Sequence, residues 1–252
     1  MIDANDLLLY KSSFITVRHL EKDYLQTFFL NELYATFSSD LVFKGGTALQ
    51  KLYGLGRFSE DLDFTFNGNG DYKDKLDASL KRASRQYSFS LHIHPSESGS
   101  VTTEIRNIRG PLYVTHKTMN MLKLDISLRE HTATEPQLKY LMPVYPDIKQ
   151  FSLYVMSLDE ILAEKIRAIY TRNKARDLYD VYFFMKHKNK KLVINLINKK
   201  LESENMKFSR ESFLDRINAI GPRLWKEELS EVLVDLPDYR ETIKFMEQYF
   251  SK

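Results

Sequence analysis

Polar and hydrophobic residues follow two different rhythms along this chain. Up to about residue 156, short stretches alternate between apolar and polar positions, which is typical of half-buried strands. Strands are predicted over 41–44, 62–66, 87–94, 112–116, 119–128 and 151–156, and helices over 17–37, 47–53 and 72–84. Residues 95–100 are predicted to be a polar loop, and residues 130–146, which contain three prolines, to be irregular.

Helical periodicity takes over after residue 157. Apolar residues there recur every three or four positions, which predicts helices over 158–170, 175–187, 192–201, 210–219, 222–234 and from 239 onward. Strands interspersed with helices, followed by helices alone, indicate an α+β fold. We therefore predict two domains: residues 1–156 with a mixed sheet, and residues 157–252 entirely helical.

Composition narrows the classes of protein that fit. The 252 residues are 43% hydrophobic, enough for one large core or a core with a smaller helical domain. The absence of cysteine excludes disulfides and thiolate zinc sites. No apolar run approaches the roughly 20 residues that span a bilayer, and the first residues do not resemble a secretion signal, so none is expected. We expect a cytoplasmic protein, whose net charge of +3 permits nucleic-acid contact without requiring it.

A glycine pair marks the first candidate site. Gly45-Gly46 lies between a predicted strand and a predicted helix that Thr47 can cap. Glycines let the backbone approach a ligand, and a helix N-terminus offers free N–H groups to a phosphate. The Lys-Ser/Thr ending of a Walker loop is missing. An ordinary Gly-Gly turn is the alternative.

Two aspartates on the next strand carry a stronger signal. Alternation sends Asp61 and Asp63 to the face opposite the apolar residues of strand 62–66. Neighbouring carboxylates repel each other unless a cation lies between them, and Mg²⁺ is commonly held by one or two carboxylates plus substrate phosphates. A solvated strand face is the alternative. Arg57 and Ser59 precede the pair and could reach a phosphate.

A second strand repeats the pattern. In strand 119–128, Asp125 lies on the polar face, opposite the leucines and isoleucine. Placed beside Asp61 and Asp63, it would complete a carboxylate triad able to hold two metals, an arrangement suited to phosphoryl displacement. Asp125 could instead help to deprotonate an attacking hydroxyl.

The helical half adds a lysine in an apolar stripe. Lys165 falls at the centre of the stripe of helix 158–170, so it must extend its amine to solvent, pair, or face a cavity that holds an anion. In the next helix, Asp177 lies at the edge of the apolar face. Arg176 and Asp180 are predicted to lie on the more exposed side and to pair with each other.

These residues together resemble one known family. The chain is similar to the AbiEii/AbiGii-type nucleotidyltransferase toxins, of the DNA polymerase beta-like nucleotidyltransferase superfamily. The resemblance rests on FKGGTAL at 43–49, RFSEDLDF at 57–64, LKLDIS at 122–127, SLDEILAEKIRA at 157–168 and RDLYDVY at 176–182. The glycine and D-x-D elements indicate the superfamily, and the last two blocks narrow it to the toxins.

The resemblance implies an activity, a metal and partners. It implies transfer of a nucleotide from an NTP to an acceptor, dependent on Mg²⁺ or Mn²⁺, with RNA and especially a tRNA 3′ end as acceptor. It also implies a toxin–antitoxin or phage-defence system with a cognate antitoxin. Residues expected at the phosphates, in a cleft between the two halves, are Lys44, Gly45, Gly46, Thr47, Arg57, Ser59 and Lys165. Metal ligands would be Asp61, Asp63 and Asp125, and the further catalytic residues Lys165, Asp177 and Asp180.

Two other functions fit the same residues less well. The chain could be a nucleotide-binding regulator that sequesters a partner without transfer. It could also be a nuclease that uses carboxylate-bound metal. The glycine pair and the lysine in the apolar stripe favour a triphosphate substrate and therefore disfavour the nuclease.

Overall fold

One mixed sheet contains all the strands of the described part of the chain. The computed structural model describes residues 2–95 and 99–250. The strands are β1 (Leu41–Lys44), β2 (Leu62–Phe66), β3 (Ser90–Pro95), β4 (Ser100–Ile108), β5 (Asn120–Ser127), β6 (Gln137–Leu141) and β7 (Phe151–Val155). Their order in the sheet is β3-β4-β5-β2-β1-β7-β6. The β2–β5 and β1–β7 pairs are parallel and the others antiparallel, which confirms the predicted mixed sheet.

The first helices lie before or between the strands in sequence, and the described elements that follow β7 are all helical. The helices are α1 (Ala4–Leu8), α2 (Val17–Tyr34), α3 (Gly45–Tyr53), α4 (Tyr72–Ala83), α5 (Leu158–Thr171), α6 (Ala175–His187), α7 (Ile194–Leu201), α8 (Arg210–Leu229) and α9 (Tyr239–Phe250). Within α8, Gly221 has a φ of 69° and precedes Pro222, so the helix is kinked where two helices were predicted. None of the helices in residues 2–95 and 99–250 is long and apolar enough to cross a membrane.

The chain divides into two compact units. Met1–Tyr53 and Phe58–Met156 form the first, which contains the sheet; Gly54–Arg57 and Ser157–Lys252 form the second. The short segment Gly54–Arg57 therefore belongs with helices that lie more than 100 residues further along the chain. A Cβ atom added at Gly56 would lie 3.0 Å from the ring of Phe183, which shows how closely this segment packs against α6.

The apolar faces of the two central parallel strands form the core of the first unit. Leu62 and Phe64 of β2, and Leu124 and Ile126 of β5, are completely buried. Because side chains alternate between the two faces of a strand, the intervening residues all lie on the opposite face. The predicted separation into an apolar and a polar face is confirmed for both strands.

Two predictions about secondary structure are wrong. Residues 112–116 do not form a strand, because the Leu112 N–H donates to the Glu21 carboxylate (2.8 Å) and Tyr113 closes a turn on the Gly110 carbonyl. The strand that pairs with β5 on this side is β4. Residues 130–146 contain the edge strand β6, which sequence reasoning missed. Of the predicted loop 95–100, residues 96–98 lie outside the described residues.

Candidate active site

Two aspartates lie opposite each other on adjacent strands of the sheet. In the parallel pairing of β2 with β5, Asp63 is the register partner of Asp125. Asp61 immediately precedes β2, and parity places it on the same face. All three residues are at least partly accessible to solvent. The structure thus brings the three carboxylates predicted from sequence to one polar surface of the sheet.

Asp125 already has two partners on this surface. The Lys123 ammonium lies 2.8 Å from its Oδ2 atom, and the Thr102 hydroxyl of β4 donates to Oδ1. Burial would lower the pKa of Lys123, but the hydrogen bond and charge of Asp125, together with the charges of Asp61 and Asp63, raise it. Lys123 therefore lies within electrostatic reach of all three carboxylates.

The chemistry of this surface suits a hard divalent cation. Mg²⁺ prefers oxygen ligands, and one or two carboxylates with substrate phosphates usually supply them. The protein around Asp61 removes water from its carboxyl and raises its pKa; the Lys123 charge lowers that pKa and the Asp125 charge raises it. A nearby cation would stabilise the charged form. In this conformation, no three His, Asp or Glu side chains of the described residues converge as a metal-binding set, and Asp125 is turned to Lys123.

The glycine pair lies directly against one of the carboxylates. Strand β1 runs into α3 without a loop, and Gly45 has a φ of 75°. A Cβ atom at Gly45 would lie 2.2 Å from Asp63 Oδ2. Glycine is therefore required for two reasons: the positive φ and the approach of the Asp63 carboxylate to the backbone. Gly46 follows in the first turn of α3, where N–H groups lack partners within the helix.

The predicted capping role of Thr47 is wrong. The helix begins two residues earlier, at Gly45, and Thr47 is completely buried inside it. Its hydroxyl donates to the main-chain carbonyl of Asp61. Thr47 thus ties the glycine turn to the residue that begins the carboxylate surface.

The segment before β2 is fixed by helix α2 and helix α3. The Ser59 N–H donates to Gln50 Oε1 (2.7 Å), and Gln26 Nε2 donates to the carbonyls of Ser59 and Glu60 (2.9 Å each). Ser59 is buried. At the end of β1, Lys44 is the register partner of Asp63. These contacts hold the start of β2 at the glycine turn.

A second charged cluster lies in the second unit. The Lys165 ammonium of α5 lies 2.9 Å from Asp177 Oδ1 and 2.8 Å from Asp180 Oδ2, both on α6. All three residues are buried. Of the three outcomes expected for a lysine in an apolar stripe, the structure shows pairing.

An arginine clamps each of these carboxylates. Arg57 donates from Nε and Nη2 to the two oxygens of Asp180, at 2.6 and 2.8 Å. Arg172 makes a similar two-point contact with Asp177, at 2.8 and 3.1 Å. Lys165 therefore lies at the centre of a chain of alternating charges with three cations and two anions. Arg57, expected at a phosphate, is buried in the second unit as a partner of Asp180.

The predicted exposure of Asp180 is wrong. Its side chain is completely buried, and it pairs with Arg57 and Lys165. Arg176 instead lies near the end of α8, where its Nε is 3.4 Å from the Glu228 carbonyl. The i+3 spacing from Asp177 turns Asp180 towards α5, because residues three apart share one face of a helix.

The charges around Asp177 shift its protonation strongly. Burial would raise the pKa of its carboxyl, but the charges of Lys165 and Arg172 and their hydrogen bonds lower it to about 2. Burial would likewise lower the pKa of Lys165, and the charges of Asp177 and Asp180 raise it. Asp177 and Lys165 therefore hold their charges over the whole neutral range.

The sequence matches one protein family over most of its length. The family is described as the nucleotidyl transferase AbiEii toxin of type IV toxin–antitoxin systems, and its model matches residues 29–249. The chain belongs to the AbiEii family. It is accordingly a nucleotidyltransferase, as the resemblance implied. Among curated proteins, no significant match is found.

Solved structures share the fold of this AbiEii-family chain. JHP933 from Helicobacter pylori is 21% identical, with a TM-score of 0.62 over 93% of this chain and 92% of that one. A putative nucleotidyltransferase from H. pylori is also 21% identical, with a TM-score of 0.61 and coverages of 94% and 98%. MenT4, a nucleotidyltransferase toxin from Mycobacterium tuberculosis H37Rv, is 17% identical, with a TM-score of 0.66 and coverages of 97% and 89%.

Three side chains at these clusters were not predicted as site residues. Lys123 was visible two positions before Asp125, on the same strand face. Thr102 was hidden, because its contact depends on strand β4, which sequence reasoning missed. Arg172 immediately follows α5 and lies five positions before Asp177, and that short separation of opposite charges was the available signal.

Proposed function

We propose that this AbiEii-family enzyme transfers a nucleotidyl group from an NTP to a hydroxyl of RNA, with Mg²⁺ as the metal and pyrophosphate as the leaving group. One observation carries the proposal: Asp63 is the register partner of Asp125 and also lies against the Gly45 turn at a helix N-terminus. Asp63 thus lies next to both a second carboxylate that can bind a metal and the N–H groups that can bind a phosphate.

In this proposal, the first unit supplies a phosphate-binding turn and a set of metal ligands. Gly45 and Gly46 present the N-terminus of α3 to the phosphates, and Thr47 holds the turn in place. Lys44 immediately precedes the glycine pair, and Ser59 lies two positions before Asp61. Asp61, Asp63 and Asp125 hold the metal. When bound, Mg²⁺ or Mn²⁺ would neutralise negative charge that develops on the phosphates.

The chemical step consists of one displacement at phosphorus. The acceptor hydroxyl attacks the α-phosphate, its oxygen–phosphorus bond forms, and the bond to the β-phosphate oxygen breaks to release pyrophosphate. Asp125 has a second role as the group that takes the hydroxyl proton. Orientation of the acceptor and charge stabilisation supply most of the rate enhancement in such reactions.

The second unit contributes its charged cluster. The chain of Arg57, Asp180, Lys165, Asp177 and Arg172 carries one more positive than negative charge. The resemblance to the toxin family implies a role for Lys165 at the phosphates, and within the second unit Asp177 and Asp180 hold its ammonium. Arg57 acts in this proposal through Asp180.

The proposed acceptor is RNA, with the tRNA 3′ end as the preferred site, and the proposed biological role is that of a toxin in growth control or phage defence. The family description supports the toxin role and a cognate antitoxin. The mildly positive net charge of +3 is compatible with an RNA acceptor.

The decisive experiment supplies each labelled NTP in turn to the purified protein with total RNA and Mg²⁺. We expect one or more NTPs to label an RNA band, and the paired change Asp61→Ala with Asp63→Ala to abolish labelling. Transfer by that variant at the parental rate would show that the site is assigned wrongly. NTP binding without incorporation would support a regulator, and NTP-independent shortening of RNA would support a nuclease.

A further inference from the structure

Lys123 of the sheet-containing unit has several carboxylates around it. Its ammonium contacts Asp125 Oδ2 at 2.8 Å and lies within electrostatic reach of Asp61 and Asp63. Lys75, by comparison, pairs with the single carboxylate of Asp40. Three negative charges on one sheet face need a cation for stability. In this structure, Lys123 supplies one in direct contact with Asp125, and the charge of Lys22 also acts on Asp61.

The position of Lys123 conflicts with metal binding at the same carboxylates. A divalent ion held by Asp61, Asp63 and Asp125 would meet the ammonium on Asp125, and two cations at contact distance repel strongly. The lysine side chain is 37% exposed and ends a flexible stem. It can therefore leave Asp125 without disturbing the strand, while Thr102 keeps its bond to the other carboxylate oxygen.

We propose that Lys123 is an internal counter-ion that occupies the carboxylate surface in the metal-free enzyme and makes metal binding depend on the nucleotide. This inference rests on the proposed function, since it assigns the metal to these aspartates. A metal that arrives alone must displace the ammonium into solvent. A metal that arrives with a triphosphate brings negative charge that the displaced ammonium can pair with. The enzyme therefore binds metal weakly until an NTP is present.

The test measures Mn²⁺ binding to the full-length protein by electron paramagnetic resonance, with and without a non-hydrolysable NTP analogue. In the parent protein, we expect weak binding that the analogue strengthens. In Lys123→Met, which keeps the stem but removes the charge, we expect Mn²⁺ alone to bind about tenfold more tightly; solvent screening keeps the effect below the Coulomb energy of a buried pair. The strengthening by the analogue should shrink.

Two further variants separate the possible outcomes. Lys75→Met removes a paired lysine elsewhere in the same unit and should leave Mn²⁺ affinity unchanged. Asp63→Asn should abolish the binding that Lys123→Met strengthens. In EDTA, Lys123→Met should also lower the melting temperature, because Asp125 loses its paired ammonium and the repulsion among the three carboxylates grows.

The inference and the proposed function can fail separately. Asp63-dependent Mn²⁺ binding with the same affinity in Lys123→Met and the parent would overturn the counter-ion role and leave the proposed function intact. Tighter binding in Lys123→Met without nucleotide transfer to any acceptor would support the counter-ion role and count against the transferase. If Mn²⁺ binding is insensitive to Asp63, both proposals are wrong.

Discussion

Asp63 and Asp125 are direct register partners in the parallel pairing of β2 with β5. Like charges placed side by side on adjacent strands destabilise a sheet. The protein offsets this cost locally, since Lys123 and Thr102 both bond to Asp125. A costly arrangement that is supported by neighbouring side chains is typical of a functional site.

Removal of one of these charges should separate activity from stability. We expect Asp63→Asn to reduce nucleotide transfer about 10²–10³-fold without lowering the melting temperature, because a source of repulsion disappears. Steady-state incorporation of labelled NTP and a thermal melt in EDTA measure the two effects. The exposed Asp77→Asn of α4 makes the same chemical change away from the site and should alter neither. A large loss of melting temperature in Asp63→Asn would mean that this aspartate has mainly a structural role.

The glycine turn should tolerate no side chain. Gly45→Ala introduces both a strained φ and a clash with Asp63, so we expect a loss of about 2–4 kcal/mol in the free energy of unfolding. Gly54 has a similar φ of 72°, but the nearest atom to an added Cβ is 3.6 Å away, on the flexible end of Lys188. Gly54→Ala should therefore lose only about 1 kcal/mol. Urea unfolding measures both; equal losses would rule out the clash with Asp63.

The stability of the protein should depend on Asp180, one of the two carboxylates in the buried chain of charges. Asp180→Asn leaves Arg57 and Lys165 without their shared anion, and breaking a buried pair costs about 3–5 kcal/mol. Asp159 forms a partly exposed pair with Lys190 at 3.0 Å, and its change to Asn should cost less than about 1 kcal/mol. Chemical denaturation of both variants tests the difference. A loss as small as that of Asp159→Asn would contradict a stabilising role for the buried charge chain.

Acid should remove the contribution of Asp177. The pKa of its carboxyl is lowered in the folded state to about 2, below the ordinary value of 3.8. Its stabilisation is therefore complete above pH 4 and is lost as the pH falls towards 2; the shift corresponds to roughly 2 kcal/mol. The difference in unfolding free energy between the parent and Asp177→Asn should be constant from pH 5 to 7 and narrow below pH 4. A difference that widens in acid would contradict the lowered pKa.

The sequence predicts well on which face of its strand each carboxylate of the site lies. Alternation alone assigned Asp61, Asp63 and Asp125 to polar faces, because the apolar residues between them must be buried. Parity does not say which strands are neighbours, and the β2–β5 pairing depends on the whole sheet. The missed strand β4 shows the limit: its apolar residues alternate, but the apolar 112–116 segment nearby gave a competing pattern.

Helical periodicity predicted the place of Lys165 but not its partners. Asp180 was expected on the exposed side of its helix, paired with Arg176, since charged side chains usually face solvent. Its burial depends on Arg57, which lies 123 residues away in sequence. A pairing across that distance follows from tertiary packing and leaves no local pattern that a single sequence can reveal.

Because Gly54–Arg57 belongs to the second unit, the chain cannot be divided into its two units by a single cut. A fragment that starts at Ser157 would contain every helix from α5 onward but would lack Arg57, the bidentate partner of Asp180. Such a fragment would contain the Asp180 carboxylate without the Arg57 guanidinium that pairs with it. Cutting the chain before Ser157 therefore removes a buried ion pair. A split or permuted version of the protein that keeps residues 54–57 joined to the helical part would preserve the pair of Arg57 with Asp180.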